Sequence, residues 1–157
     1  MSSYAELDSV YRALLAELQN DARQTNKALA GKVGVAPSTS LERVRELQTR
    51  GVITGFAARV DPAAIGRPME AILSIQQGSS QRQATENLLE HAASLPETVR
   101  VMALTGTTDI IIHVAVRDMD HLRDLIWNLI ERREVARIQS SLVLAKVEGP
   151  SLLPLDD

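Results

Sequence analysis

The stretch that most restricts the fold is NKALAGKVGVAPSTSLERVRELQTRGVITGF, Asn26 to Phe56. It sets two short helical patterns on either side of Gly34-Val35-Ala36-Pro37, then stops at Gly51 and turns β-branched. Thr25 is placed to cap the first helix, whose inner face is Leu29, Ala30 and Val33. Gly34 can take the left-handed conformation that ends it, and Val35 plugs the turn into the core. Pro37 suits the first position of the next helix, because it has no N–H to satisfy and its φ is already fixed. That helix runs to about Arg50 with Leu41, Val44 and Leu47 inward. Ahead of both, Val10, Leu14 and Leu18 recur at helical spacing with Leu15 beside them. Residues 8–19 therefore read as an amphipathic helix, capped by Asp8 with Leu7 as a hydrophobic staple. Three such helices, the last two joined by a tight glycine turn, predict a helix-turn-helix.

Charge distribution separates a packing module from a DNA reader. The chain has a net charge of −3. Yet the segment Arg23–Arg59 carries Arg23, Lys27, Lys32, Arg43, Arg45, Arg50 and Arg59 against only Glu42 and Glu46. A local positive stripe is what phosphate neutralisation requires. At the start of the third helix Ser38, Thr39 and Ser40 are small hydroxyl donors for base edges or phosphates. The free N–H groups of the first turn can hold a phosphate themselves. Arg43 is expected to make the largest contact and Arg45 to meet a phosphate, with Lys27 and Lys32 as further phosphate partners. Glu42 can accept from cytosine N4, or pair with a neighbouring arginine. The plain alternative for all of them is a solvated helix face.

After Gly51 the residues Val52, Ile53, Phe56, Ala58 and Val60 suggest an extended, wing-like segment. Two prolines and a glycine within residues 61–68 mark a linker. The expected organisation is a DNA-binding domain over 1–60, a linker over 61–68, and a second domain over 69–157. In that second part, strands are expected over 69–75, 99–105, 110–116 and 137–147. One helix opens at a Ser80/Gln83 capping box and buries Ala84, Leu88, Ala92 and Leu95. Another is capped by Asp118 and buries Met119, Leu122, Leu125, Ile126, Leu129 and Ile130, with Arg132 and Arg133 complementing its dipole. The order strand, helix, strand, strand, helix, strand gives a mixed α/β (α+β) architecture: a winged-type helix-turn-helix followed by a ferredoxin-like βαββαβ (ACT-like) sandwich.

The strand Ile110–Val116 is apolar on both parities, with Ile110, Ile112, Val114 and Val116 on one side and Ile111, His113 and Ala115 on the other. In the last strand Ile138, Leu142 and Leu144 oppose Val143, Ala145 and Val147. Helices on one face cannot cover both sides. At about 25 cal/mol per Å2, leaving several hundred Å2 of apolar sheet wet forfeits on the order of 10 kcal/mol. A homodimer is expected there, which would also pair two reading helices about a two-fold axis.

Composition narrows the function classes. With no cysteine there is no disulfide framework, thiolate metal site or thiol nucleophile. His91, His113 and His121 form no metal-ligand spacing and no carboxylate pair is marked out, so neither catalysis, nor a cofactor, nor a metal is expected. His91 and His121 belong on helix surfaces, and His113 on the sheet face at the expected subunit contact, as a satisfied polar group. The absence of a long apolar run or basic-then-apolar leader leads to the expectation of a cytoplasmic protein with no membrane partner.

Two stretches, LAGKVGVAPSTSLERVRELQTRGVITGFAARVDPAAIG and LPETVRVMALTGTTDIIIHVAV, with flanks reaching from Leu7 to Val147, resemble the leucine-responsive/asparagine-regulator (Lrp/AsnC) family of transcription factors. Pro37, Ser38, Thr39, Leu41, Arg43, Val44 and Leu47 match its recognition-helix motif, and Glu42 matches a common form of it. Gly51, Ile53 and Gly55 match the turn and strand that follow, and Phe56 stands where tyrosine is frequent. Ala36 replaces the usual serine cap, a loss of roughly 1 kcal/mol. Gly106 and Asp109 match the effector-site turn, where Thr107-Thr108 replaces a polar-aromatic pair. The resemblance implies double-stranded DNA as partner, dimers that can assemble into octamers, and an amino acid or similar small metabolite as effector. Around that turn, Gly106 would allow close backbone approach, Asp109 would accept from an ammonium, and Thr105, Thr107 and Thr108 would complete the hydrogen bonds. A bare hairpin turn is the alternative. So are an architectural DNA-binding protein without effector, and a tetrapyrrole decarboxylase of the same two-domain build.

Overall fold

The computed structural model describes residues 7–78 and 81–154. Its contacts divide the chain into two compact units: residues up to Ala58 together with those from Val147 onward, and Arg59–Lys146. The first unit is built on α1 (Ser9–Asn20), α2 (Asn26–Val33) and α3 (Pro37–Thr49). Each start has its expected cause. Asp8 accepts from the N–H groups of Val10 and Tyr11, and Thr25 accepts from that of Ala28. Gly34 ends α2 with φ of 76°, so the αL cap closes the turn into α3. At the start of α3, Pro37 sits in the first turn, and Ala36 supplies no side-chain cap. The core is Tyr11, Leu14, Leu15, Leu29 and Leu47, with Leu7, Val10, Leu18, Val33, Val44 and Ile53 packed around it.

Leu41 departs from the pattern. It was expected inside with Val44 and Leu47, but it is 40% exposed, and its neighbour Ser40 is fully buried instead. Nor does the segment after Gly51 become a strand. A strand needs a partner ladder, and residues 54–61 find none within the described chain, so no wing forms there.

The second unit contains a short 3-10 turn, Ala63–Ile65, then β1 (Met69–Gln77), α4 (Arg82–Ser94), β2 (Thr98–Ala103), β3 (Ile110–Val116), α5 (Met119–Ile130) and β4 (Val135–Leu142). The sheet is antiparallel in the order β2-β3-β1-β4, the ferredoxin-like arrangement. Both helices lie on one face, over a core of Ala71, Leu73, Ile75, Ile110, Ile112, Val114 and Val116 from the strands. Leu88 and Ala92 of α4 and Leu122, Leu125 and Leu129 of α5 complete it. Met119 and Ile130, expected in that core, lie exposed at the two ends of α5, beyond the reach of the sheet. Asp118 caps α5 by accepting from the His121 N–H. For α4 the capping position is Gln81, without a side-chain bond; Ser80 of the expected capping box lies outside the described residues.

The other sheet face is less apolar than the sequence suggests. Ile72, Ile111 and Ala115 share it with Ser74, Gln76 and His113, and the β4 register adds Arg137, Gln139 and Ser141. β4 stops at Leu142, so Leu144 and Val147 sit beyond the sheet and are almost fully exposed. From Val147 onward the chain packs with the helical unit. The Gln19 carboxamide holds it there. Its Nε2 donates to the Leu152 carbonyl at 2.8 Å and its Oε1 accepts from the Leu152 N–H at 2.9 Å. Arg12 Nη1 adds a 3.3 Å bond to the Pro154 carbonyl.

Candidate nucleic-acid interface and effector pocket

On α3 the buried positions are Ser40 and Leu47, with Arg43 and Val44 half-buried between them. Residues three and four apart share a helix face, so the opposite side is fixed as Ser38, Glu42, Arg45 and Thr49, all exposed. The first turn stands open for an acceptor, since Ala36 makes no side-chain cap. Asn26 Nδ2 donates to the Pro37 carbonyl at 2.7 Å and ties the start of α2 to the start of α3. Lys27 is exposed at that same end of α2.

Two expected contacts are corrected by this geometry. Ser40 is fully buried, on the face of α3 that packs inward with Leu47 rather than on the outer face where it was expected. Arg43 turns toward α1. Its Nη1 sits 2.7 and 2.6 Å from the two carboxylate oxygens of Asp8, and its guanidinium carbon lies 4.5 Å from the centroid of the Tyr11 ring. The reason is positional: residue 43 is three past Ser40 and four before Leu47, on the inward edge of the helix. Glu46 extends the clasp, accepting from the Tyr11 hydroxyl and from Arg50 Nη1 at 2.9 Å. The Arg43 guanidinium holds the Asp8 carboxyl below the usual carboxylate range, and the Tyr11 hydroxyl and then Arg50 do the same for Glu46. Tyr11 is pushed up in turn, chiefly by its bond to Glu46.

The remaining candidates are placed as follows. Lys32 is exposed but paired with Glu17 Oε2 of α1 at 2.7 Å. Thr39 is half-buried at the flank of the outer face. Glu42 makes no ion pair among the described residues, neither with Arg45 nor with the surroundings of Glu46. Arg45 is exposed and makes no ion pair there either, leaving its charge available on the outer face.

In the second unit the turn from Thr105 to Asp109 joins β2 and β3, with Gly106 at φ of 114°, a conformation that favours glycine. Thr105, Gly106 and Thr107 are exposed; Thr108 and Asp109 are half-buried. Asp109 is engaged in holding the sheet together. Its N–H donates to the Ile75 carbonyl at 2.9 Å, and its Oδ2 accepts from the Gln77 N–H at 2.7 Å, at the point where the β1–β4 register shifts. Gln76 Nε2 donates to the Thr107 carbonyl at 2.7 Å and fastens the turn to β1. Beside it lies a small concavity on the open sheet face, lined by Ser74, Gln76, Thr108, Arg137 and Gln139. Of these only Thr108 was expected from sequence. The signal for the others was present in the alternation Ile72-Leu73-Ser74-Ile75-Gln76, whose polar parity marks the face away from the helices.

Further along that face, Glu70 accepts from Lys146 Nζ at 2.6 Å and lies 2.8 Å from His113 Nε2. Lys146, then His113, holds the Glu70 carboxyl below its ordinary range. His113 is thus a satisfied polar group, as expected. His121, expected on a helix surface, is half-buried on α5 with its Nε2 3.0 Å from Glu97 Oε1. His91 is half-buried, and desolvation followed by Arg132 lowers its pKa. Among the described residues no cluster of histidine and carboxylate groups could hold a metal, and no helix is long and apolar enough to cross a membrane.

Comparison with known proteins matches both units. Residues 7–48 match the AsnC-type helix-turn-helix domain and residues 70–152 the Lrp/AsnC ligand binding domain. The chain is 41% identical over 149 residues to the HTH-type transcriptional regulator AldR of Mycolicibacterium smegmatis, covering 94% of this chain and 87% of that one. A transcriptional regulator from Neisseria meningitidis, solved as a complex with L-methionine, superposes with a TM-score of 0.87 at 28% identity over 96% of this chain and 97% of that one. A feast or famine regulatory protein from M. tuberculosis, also complexed with L-methionine, gives a TM-score of 0.83 at 30% identity over 94% and 99%. These relatives are regulators of transcription rather than enzymes, which sets aside the tetrapyrrole decarboxylase alternative. With a family match that spans both the helical reader and the sheet, the chain belongs to the Lrp/AsnC family of DNA-binding transcriptional regulators.

Proposed function

We propose that this regulator reads double-stranded DNA with the outer face of α3 and answers to a small amino acid held on the open face of its sheet. The observation that carries the DNA assignment is the exposed row Ser38, Glu42, Arg45 and Thr49 beside an uncapped first turn. Ser38 and the first-turn N–H groups serve as phosphate and base-edge donors, Arg45 as the principal cation, and Glu42 as an acceptor for cytosine N4. Lys27 meets the backbone from the start of α2. Arg43 has a different part: it locks α3 against α1 so that the reading face is presented rigidly.

For the effector, the concavity beside the Thr105–Asp109 turn offers one guanidinium, Arg137, and the neutral polar groups of Ser74, Gln76, Thr108 and Gln139. That lining suits a carboxylate on Arg137 with the remaining polar atoms of a short ligand on the amides and hydroxyls. Asp109 shapes the turn through Gln77 rather than receiving the ammonium. Self-association is supported by the same face, where Ile72, Ile111 and Met102 lie uncovered by either helix. Titration calorimetry of the full chain across the amino acids, repeated with Arg137→Ala, tests the effector assignment. Saturable heat from a small subset of amino acids that disappears in the variant is expected. Binding that survives Arg137→Ala overturns the pocket, and heat from none of the amino acids favours the architectural, effector-independent reading.

A further inference from the structure

α3 places two residues the opposite way from what stability asks. Ser40 is fully buried, and its hydroxyl finds no hydrogen-bond partner among the described residues. Leu41, one residue on, is 40% exposed. Burying a hydroxyl without a partner is unfavourable, and so is leaving a leucine wet when the adjacent position is buried. Exchanging the two side chains would serve the core better. A helix that holds the less stable arrangement is arranged for what its outer side must touch.

The surroundings of Leu41 limit what that is. Ser38 stands three residues before it and Arg45 four after, both exposed, with Glu42 next to it. Its methyl groups therefore lie along the edge of the row already assigned to base and phosphate contacts. Major-groove edges offer donors and acceptors to those polar neighbours, but only one apolar feature, the C5-methyl group of thymine. Resting on the DNA-reading assignment of α3, we infer that Leu41 packs against a thymine methyl and is a specificity-determining residue. It distinguishes thymine from cytosine at a position the polar side chains leave undecided.

The test uses the full chain and a duplex recovered by its own binding to genomic fragments. Each thymine is replaced in turn by deoxyuridine, which removes the methyl and keeps every hydrogen-bonding group. Wild-type binding should weaken about four-fold at one thymine per half-site, the equivalent of one buried methyl. Leu41→Ala should bind the parent duplex more weakly and be indifferent to that same replacement. Leu41→Met, which keeps an apolar tip, should retain part of the sensitivity. Thermal melting checks that both variants are folded, as expected for an exposed position. If wild-type binding ignores every thymine methyl, or if Leu41→Ala keeps the full sensitivity, the assignment is overturned while DNA binding itself stands. If the wild-type chain shows no salt-sensitive binding to any fragment, the DNA-reading assignment falls and Leu41 with it.

Discussion

The helical unit and the sheet unit are held together by different means. Among the described residues, the sheet core gathers twelve buried aliphatic residues. The helical core has five, and one of them, Tyr11, carries its hydroxyl out to a charged clasp on the surface. Asp8, Arg43, Glu46 and Arg50 surround that tyrosine, with both guanidinium carbons over its ring, at 4.5 and 5.6 Å. A small three-helix unit has little apolar area to bury, so directional contacts add to packing in fixing the orientation of its reading helix. The lesson is that a basic residue on a recognition helix is not automatically a DNA contact. In this chain Arg43 is bonded to Asp8 and lies over the Tyr11 ring, while Arg45 is exposed with no ion pair among the described residues.

The contrast can be broken or sharpened by experiment. The largest effect should come from the sheet: Leu73→Ala opens a cavity in a fully buried site and should cost about 2–5 kcal/mol by denaturant unfolding. A much smaller loss would mean the two cores do not differ as described. Next, Arg43→Ala should loosen the helical unit alone, with faster hydrogen exchange in α1 and α3 and unchanged protection in β1 and β3. Acid probes the same clasp. Asp8 and Glu46 have carboxyls depressed in the folded state, so their contribution is complete above the ordinary carboxylate range. It is lost as pH falls through the depressed values, from about pH 4 downward. Melting of the helical unit between neutral pH and that window should therefore fall further in wild type than in Arg43→Ala, where the Arg43 part of the Asp8 contribution is gone and only its helix-capping part remains. The smallest effect is a gain. Ala36→Ser supplies the missing cap of α3 and should stabilise the helical unit by about 1 kcal/mol in thermal melting.

The elements with local causes were legible in the sequence. Asp8, Thr25, Gly34 and Asp118 each mark a helix boundary through a contact within four residues that the structure forms, and Pro37 marks one by its fixed φ in the first turn of α3. The strand Ile110–Val116 was equally plain, because its even positions all point into the core. What could not be read depends on partners far along the chain. The Asp8–Arg43 and Tyr11–Glu46 pairs each join positions 35 residues apart, so helical spacing can place Arg43 on the inward edge but cannot name its partners. The same holds for the Gln19 carboxamide, which takes hold of Leu152 from 133 residues away and draws the tail onto α1. Leu41 and Ser40 misled for another reason. Both fit a helical period, and a one-residue rotation of the helix decides which of them is inside. At the turn proposed to border the effector, Gly106 and Asp109 were found by resemblance, but Arg137 stands on another strand and became a candidate only when β4 paired with β1.

The most direct test of the account is the salt dependence of DNA binding by Arg45→Ala compared with wild type. Measured on one bound genomic fragment from about 50 to 200 mM salt, the slope of log affinity against log salt should become shallower by about 0.9 for each reading helix that loses the charge. Affinity should drop and melting should stay unchanged. An Arg45→Ala chain with wild-type slope and affinity would contradict the claim that the outer face of α3 is what enters the groove.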